Sequence, residues 1–336
     1  MKMTDRILLA HGSGGKLSHE LIDNKLLAKL SNRYLEKMDD SAVLQLDGRI
    51  AFTTDSYVVS PLFFPGGDIG KLAVCGTVND LAMSGATPLF ISLSLIIEEG
   101  FPLNDLEKII DSIEKTAGEA GVQIVTGDTK VVNKGNADKL FINTSGIGVL
   151  AEGIDISGSR AETGDVIILS GSIGEHGITI MSQREGLKFS SRLQSDCAPL
   201  NGLVADMLEV CRDIHCMRDP TRGGLATTLN EFAAQSNAGI IVDEKAILVI
   251  PPVLAMCEML GLDPLYVASE GRLVAVVPYA SADALLSKMR QHKYGAESTV
   301  IGRVVVDHPR TVVMKTELGT SRIIRMLSGD LLPRIC

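Results

Sequence analysis

Two runs of alternating strand and helix patterns, separated by a stretch from Glu152 to Asp165 that dissolves into Gly, Ser, Asp and Glu, constrain this chain to a pair of α/β bodies. In the first run Leu17, Leu21, Ile22, Leu26, Leu30 and Tyr34 recur at helical spacing. Ala42 to Leu46 and Arg49 to Thr54 flank Asp47-Gly48, a two-residue hairpin signal. Asp68 is placed to cap a helix running to about Ser84, and Pro88 to Ile97 reads as a buried strand. A helix from about Asn104 to Ala120 carries Leu106, Ile109, Ile110, Ile113 and Ala117 on one face, and strands follow at Val122 to Val125 and Leu140 to Thr144. Beyond the break, strand Val166 to Leu169 leads through Gly171, Gly174 and Gly177 into a helix. Helices near 200–211, 221–235 and 252–260, strand Leu273 to Val277, helix 281–291 and strands near 299–306 and 311–315 complete the second run. The expected division is 1–155, 156–328 and a free tail at 329–336.

With 336 residues, 45% of them hydrophobic and 22% charged, the chain suits a soluble two-domain enzyme. A net charge of −9 with no dense Lys/Arg block argues against a nucleic-acid partner. No segment approaches the length of a membrane span, and the apolar run before Ala10 is too short for a signal peptide. The six cysteines (75, 197, 211, 216, 257 and 336) show no regular framework, which points to a reducing cytosol. Cys211, His215 and Cys216 lack the second close pair a zinc site wants, so they read as buried groups near a helix end.

The last residue is Cys336, following Pro333, Arg334 and Ile335. A terminal thiol can enter a cleft and carry a group on its sulfur, but a free thiol is a modest nucleophile and needs cations nearby. Prenylation is excluded, because that signal places cysteine four residues from the end. Asp39-Asp40, Asp55, Asp80 and Asp128 recur at strand ends or beside glycine in the first half. Each alone suits a cap or turn. Converged on one sheet edge they would repel one another unless a cation sat among them, and magnesium with phosphate oxygens fits better than zinc. His11 to Lys16 is no Walker A loop, since Ala10 and Leu17 stand where that motif needs glycine and a hydroxyl. Its glycines can still wrap a triphosphate as a mobile cover or be a plain flexible terminus. Gly146-Ile147-Gly148 has no helix after it and is not a dinucleotide fingerprint. Asp219 and Pro220 suit the N-cap and first position of a helix, and Gly223-Gly224 lets a chain or ligand approach closely. Glu270, just before an apolar strand, is a candidate general base; alone it would more often be a solvated turn residue.

Blocks spanning nearly the whole chain resemble the HypE family of hydrogenase maturation proteins. They are HGSGGK at 11–16, FTTDSYVVSPLFFPGGDIGKLAVCGTVNDLAMSGA at 52–86, TGDTKVV at 126–132, KLFINTSGIG at 139–148, RDPTRGG at 218–224, NEFAA at 230–234, SEGRLV at 269–274 and PRIC at 333–336. That family belongs to an ATP-binding superfamily with aminoimidazole ribonucleotide synthetase, selenophosphate synthetase and thiamine-monophosphate kinase. The acidic blocks fit the superfamily, and the terminal PRIC is specific to HypE.

The resemblance implies an α/β (α+β) fold whose N-terminal sheet closes a barrel across a homodimer, with ATP near the interface and a second α/β domain. It implies a cytoplasmic lyase. HypF places a carbamoyl group on Cys336, ATP-dependent dehydration turns the S-carboxamide into a thiocyanate, and the cyanide passes to iron on HypC and HypD. Carried over by position, Asp40, Asp55, Asp80 and Asp128 surround Mg-ATP with Gly12, Gly14, Gly15 and Lys16. Lys130 is the cation, Glu270 the base and Cys336 the carrier. A tail extending from Gly329 reaches roughly 23–25 Å, enough to leave the site and return. Two alternatives stand beside this: a selenophosphate synthetase-like enzyme, whose reactive residue near the N-terminus finds no cysteine before Cys75 here, and a non-catalytic docking protein with a recognition tail.

Overall fold

A computed structural model describes residues 5–13, 15–38, 41–184, 193–327 and 334–336. The expected site residues Asp40 and Gly14, and residues 329–333 of the expected tail, lie outside the described residues. The N-terminal helix is interrupted: α1 (Lys16–Leu21) passes through a π turn at Ile22–Leu27 into α2 (Ala28–Leu30), and so ends before Tyr34.

Next come β1 (Arg49–Tyr57), the small pair β2 (Phe63–Phe64) and β3 (Gly67–Asp68), α3 (Ile69–Met83), β4 (Ala86–Glu98), α4 (Leu103–Ala120), β5 (Gln123–Val132) and β6 (Leu140–Leu150). Their four-stranded sheet has the order β1-β6-β4-β5. Only β4 and β5 are parallel, because α4 carries the chain across between them. The expected hairpin is not there. β1 pairs antiparallel with β6, Arg49 opposite Leu150, while residues 42–46 form no strand. Gly48, at φ 95°, makes a turn, yet the long-range partner satisfies the backbone of β1 better than its neighbour.

α3 is buried on every side except at Lys71 and Asp80, so it reads as a core helix rather than an amphipathic one. Asp68 caps it, its carboxylate accepting from the N–H groups of Gly70 and Lys71 at 2.7 and 3.1 Å. α4 buries Leu106, Ile109, Ile110, Ile113 and Ala117, the face its spacing predicts, and stops at Gly121 in the left-handed conformation.

The second sheet contains β7 (Val166–Leu169), β8 (Cys216–Arg218), β9 (Gly239–Asp243), β10 (Val274–Val277), β11 (Thr299–Val305), β12 (Val312–Lys315) and β13 (Ser321–Ile324). Its order is β13-β12-β9-β11-β7-β10-β8. Helices α5 (Glu175–Arg184), α6 (Asn201–Val210), α7 (Gly224–Gln235), α8 (Pro251–Leu260) and α9 (Ala282–Met289) complete it. Leu225, Leu229 and Phe232 of α7 pack on one face, and Leu203, Met207 and Leu285 of α6 and α9 on the other. Ala82 and Met83 of α3 join that second cluster, so apolar packing continues from one sheet system to the other and fixes the cleft between them.

α7 does not begin at Asp219 as its capping pattern suggests. Asp219 and Pro220 are buried ahead of the helix, which starts at Gly224 after Gly223. Gly224, at φ 60°, has the carbonyl oxygens of Leu265 and Val267 so close that a Cβ there would collide with both. That approach is the reason for the Gly-Gly pair.

Candidate active site

The chain end is not free in this structure. Arg334, Ile335 and Cys336 lie along the segment that continues β1, where Val58 N–H donates to the terminal oxygen of Cys336 at 3.1 Å and Ser60 N–H to the Arg334 carbonyl at 3.3 Å. The Arg334 guanidinium donates back to the Val58 carbonyl at 3.0 Å and meets Asp138 at 2.7 Å. Ile335 is buried in the core cluster of the first sheet, and the half-buried Cys336 packs against the same cluster. His176, fully buried, places Nε2 2.9 Å from the Ile335 carbonyl oxygen. The expectation of a loose tail therefore gives way, for its last three residues, to a seated end: a backbone ladder and one buried side chain outweigh their chain entropy.

The seated thiol faces acidic company. Burial, then the nearby Glu270 and Asp55, push the Cys336 thiol up to about 12, with Arg222 pulling the other way. Glu270 is almost entirely buried, not solvated, and desolvation with the charges of Cys197, Asp219, Asp196 and Asp55 drives its pKa well above the ordinary carboxylate range. Its Oε1 has no hydrogen-bond partner among the described residues. An acceptor left bare in a buried site is costly, which marks Glu270 as a residue whose partner lies outside the described side chains.

Asp80 is the polar break in α3. It accepts from Thr53 Oγ1 of β1 at 2.8 Å and opens to the cleft, yet enough protein surrounds it that desolvation raises its pKa, with Asp55 adding to this. Asp219, buried beside Asp80, is pushed up to about 7, first by desolvation and then by that neighbour. Arg218 and Arg222 supply the positive field to Asp80. Asp80 and Asp219 are thus desolvated carboxylates that their acidic neighbours repel.

The loop carrying Glu270 is fixed from both sides. Buried Asp196 accepts from the N–H groups of Glu270 and Gly271, each at 3.3 Å, and lies 3.8 Å from the Arg272 guanidinium. Asn79, next to Asp80 on α3, donates to the carbonyls of Ala198 at 3.1 Å and Glu270 at 3.3 Å and accepts from Leu200 N–H at 2.8 Å.

The structure brings Asp55, Asp80, Glu270 and Cys336 together and leaves Asp128 and Lys130 elsewhere. Strand register aligns Asp55 with Thr144, Leu93 and Gly127, and Asp128 with Ser94, Asn143 and Ser56. Asp128 therefore lies on the opposite sheet face from Asp55, on the far edge strand. Lys130 pairs with Asp128 at 2.6 Å, both side chains open to solvent. They line a cavity of about 320 Å³ beneath α1 and α2, with Gly12, Tyr34, Leu93 and Ile124 among its walls. Gly12 packs against the backbone of Val131 too tightly for a side chain. Gly15 precedes α1, and Lys16 is exposed and paired with Glu20 at 3.7 Å. Among the described residues no group of three His, Cys, Asp or Glu side chains is placed to hold a metal ion. His215 directs Nδ1 to Asp165 at 2.7 Å, and Cys216 packs in the core.

Sequence reasoning missed Arg222, Asp196 and His176 as site residues and took Asp219 for a cap. Two arginines flanking an acid in RDPTRGG were a legible signal for a charged pocket; a lone histidine opening a helix was not.

Residues 38–150 match the family described as AIR synthase related protein, N-terminal domain, and residues 162–315 match its C-terminal domain. Fold and site thus define a two-domain AIR synthase related protein. Carbamoyl dehydratase HypE of Azotobacter vinelandii is 53% identical over 329 residues, 98% of this chain and 96% of that one. A crystal structure of hydrogenase maturation protein HypE in complex with ATP superposes with a TM-score of 0.95 at 50% identity, covering 98% of this chain and 99% of the other. A HypE–HypF complex structure matches with a TM-score of 0.81 at 48% identity, covering 91% and 99%. The chain belongs to the HypE family of carbamoyl dehydratases. No helix among the described residues is long and apolar enough to cross a membrane.

Proposed function

We propose that this chain dehydrates an S-carboxamide on its own Cys336 to a thiocyanate, with ATP as co-substrate. The carboxamide loses its oxygen to phosphate and its two N–H protons to bases, leaving S–C≡N, ADP and phosphate. An amide oxygen leaves poorly; phosphorylated, it leaves as phosphate, and nitrile formation then needs only proton removal. The observation that carries the reading is the buried Glu270, its Oε1 unpartnered among the described residues, close enough to the seated Cys336 for its charge to act on the thiol.

Glu270 is the base for the nitrogen. In the seated state it holds a proton, because burial strips its charged form of solvent and the like charges of Asp219, Asp196 and Asp55 add to that. Compensating those carboxylates lowers its pKa toward the working range, where a base is most effective. Asp80, desolvated and repelled by the nearby Asp55, would with Asp55 hold a magnesium ion, which needs only one or two carboxylates from the protein. The bound ion would supply charge neutralisation there, while Arg222 offers a cation beside the carrier. Asp128, Lys130 and Gly12 form a second polar group at the β5 edge. Among the described residues both β1 and β5 pair on one side only, and Phe52 and Ile50 on β1 are exposed. Closing the sheet into a barrel with a second copy joins that group to the interface where the nucleotide sits.

A thiol held near 12 stays protonated at neutral pH, so loading by a HypF-type partner needs Cys336 outside this pocket, while dehydration needs it within. The cyanide then passes to iron on a HypC–HypD partner. A reducing cytosolic setting, which six free cysteines suit, belongs to the same reading. Phosphate release measured on carbamoylated and untreated protein tests it: turnover only after carbamoylation is expected. Equal turnover without carbamoyl would favour a small-molecule kinase or synthetase of the same superfamily.

A further inference from the structure

His176 is the second residue of α5 and has no exposed surface. Its two ring nitrogens have different partners, and those partners decide where the proton lies. Nε2 is 2.9 Å from the Ile335 carbonyl oxygen, which can only accept, so Nε2 carries the hydrogen. Burial drives the ring toward its neutral form, so Nδ1 accepts, and Ser195 Oγ at 2.8 Å donates to it. Ser195 Oγ in turn accepts from Cys197 N–H at 3.1 Å. The relay therefore runs in one direction, from a fixed backbone N–H to the carbonyl of the penultimate residue.

Parts that do not belong to the chain end hold the ring. The Phe64 ring meets it edge-on, centroids 5.5 Å apart, and Ser195 N–H is anchored on the Pro65 carbonyl at 2.8 Å. The donor is thus aimed before Ile335 arrives, and Ile335 is the acceptor that satisfies it. A buried N–H left without an acceptor is penalised, whereas the half-exposed Arg334–Asp138 pair contributes little.

We propose that His176 is a positioning residue for the dehydration step: its Nε2–H seats the Ile335 carbonyl and so fixes the sulfur, one residue further on, against Glu270. It acts through the backbone and touches no reacting atom. The inference rests on the reading of Cys336 as carrier, and it makes an additional claim that can fail separately. Losing the donor should let the end residue spend more time outside the pocket, so the thiol becomes more reactive while chemistry slows.

The experiment uses full-length protein with three readouts: the alkylation rate of Cys336 by iodoacetamide, followed on the C-terminal peptide; single-turnover nitrile formation on the carbamoylated protein; and ATP affinity. H176F keeps an aromatic ring but has no donor, and H176Q restores an N–H donor. The expected result for H176F is alkylation about tenfold faster and nitrile formation about tenfold slower, as loss of one buried hydrogen bond implies, with ATP affinity unchanged. H176Q should recover part of both. Should H176F fail to fold, S195A, which removes the group orienting Nδ1, is read in the same assays and should shift both rates the same way. Unchanged alkylation and nitrile rates in the folded variant, or an H176Q no better than H176F, would overturn the assignment. Failure of unmutated protein to form nitrile on Cys336 would count against the carrier reading itself; the alkylation contrast tests the seating independently.

Discussion

Asn79 donates its side-chain amide to the backbone carbonyl of Glu270 at 3.3 Å, so the helix that presents Asp80 also holds the loop that presents Glu270. Asp80 and Glu270, proposed as the metal-facing and proton-accepting groups, come from the two sheet systems, and one fully buried side chain sets their spacing.

Asn79→Ala should therefore affect chemistry more than nucleotide binding. Two carbonyls and one N–H lose their partner, costing about 1–3 kcal/mol of stability. Misplacing Glu270 by a fraction of an ångström should slow single-turnover nitrile formation about 10–100-fold, while ATP affinity stays near its original value. Calorimetry and rapid-quench kinetics on the same preparation check this, and a large loss of ATP affinity with normal chemistry would contradict it.

Glu270→Gln keeps shape and removes the base, so nitrile formation should fall about 10²–10⁴-fold with ATP binding retained. The folded pKa of Glu270 is raised, so its contribution to stability is full below the unfolded pKa and is lost as pH rises through the folded value. Gln escapes that loss. Urea unfolding at pH 8 should find the variant at least as stable as the original protein.

Asp219, held near 7, should leave a mark on the stability curve. Its pKa is raised on folding, so the favourable contribution is complete below about pH 4 and disappears as pH rises through about 7. Asp219→Asn should flatten that part of the curve, by up to about 4 kcal/mol between its ends. Denaturant midpoints from pH 5 to pH 8 measure it, and parallel curves for the two proteins would show that Asp219 is ionised throughout.

Local chemistry made much of this legible. The caps and breakers around α3 and α4, the strand Val166–Leu169 and the terminal cysteine each speak through nearby residues. What stays hidden depends on distant partners. Residues 42–46 pattern as a strand, but β1 pairs with β6, roughly a hundred residues on. Asp219 has cap chemistry, but a close approach by Leu265 and Val267 delays the helix to Gly224. Four aspartates share similar sequence contexts, yet register sends Asp128 to the other face from Asp55. His176 matters only because residue 335 returns to it.

Phe52 projects from the open edge strand β1, and Phe52→Glu should prevent a second copy from closing the barrel. Light scattering is expected to show a dimer for the unmodified chain and a monomer for the variant, and ATP affinity should drop with it. A dimeric variant, or full ATP binding by a monomer, would remove the interface from the account of the site.

In the proposed reaction the sulfur of Cys336 carries the group being dehydrated. Intact mass with C-terminal peptide mapping, taken on carbamoylated protein before and after ATP, tests it most directly. The expected result is one carbamoyl adduct on the peptide ending in Cys336, then loss of the mass of one water on adding ATP, and neither change in Cys336→Ala, which should still bind ATP. An adduct on another cysteine, or an unaltered reaction in Cys336→Ala, would contradict it.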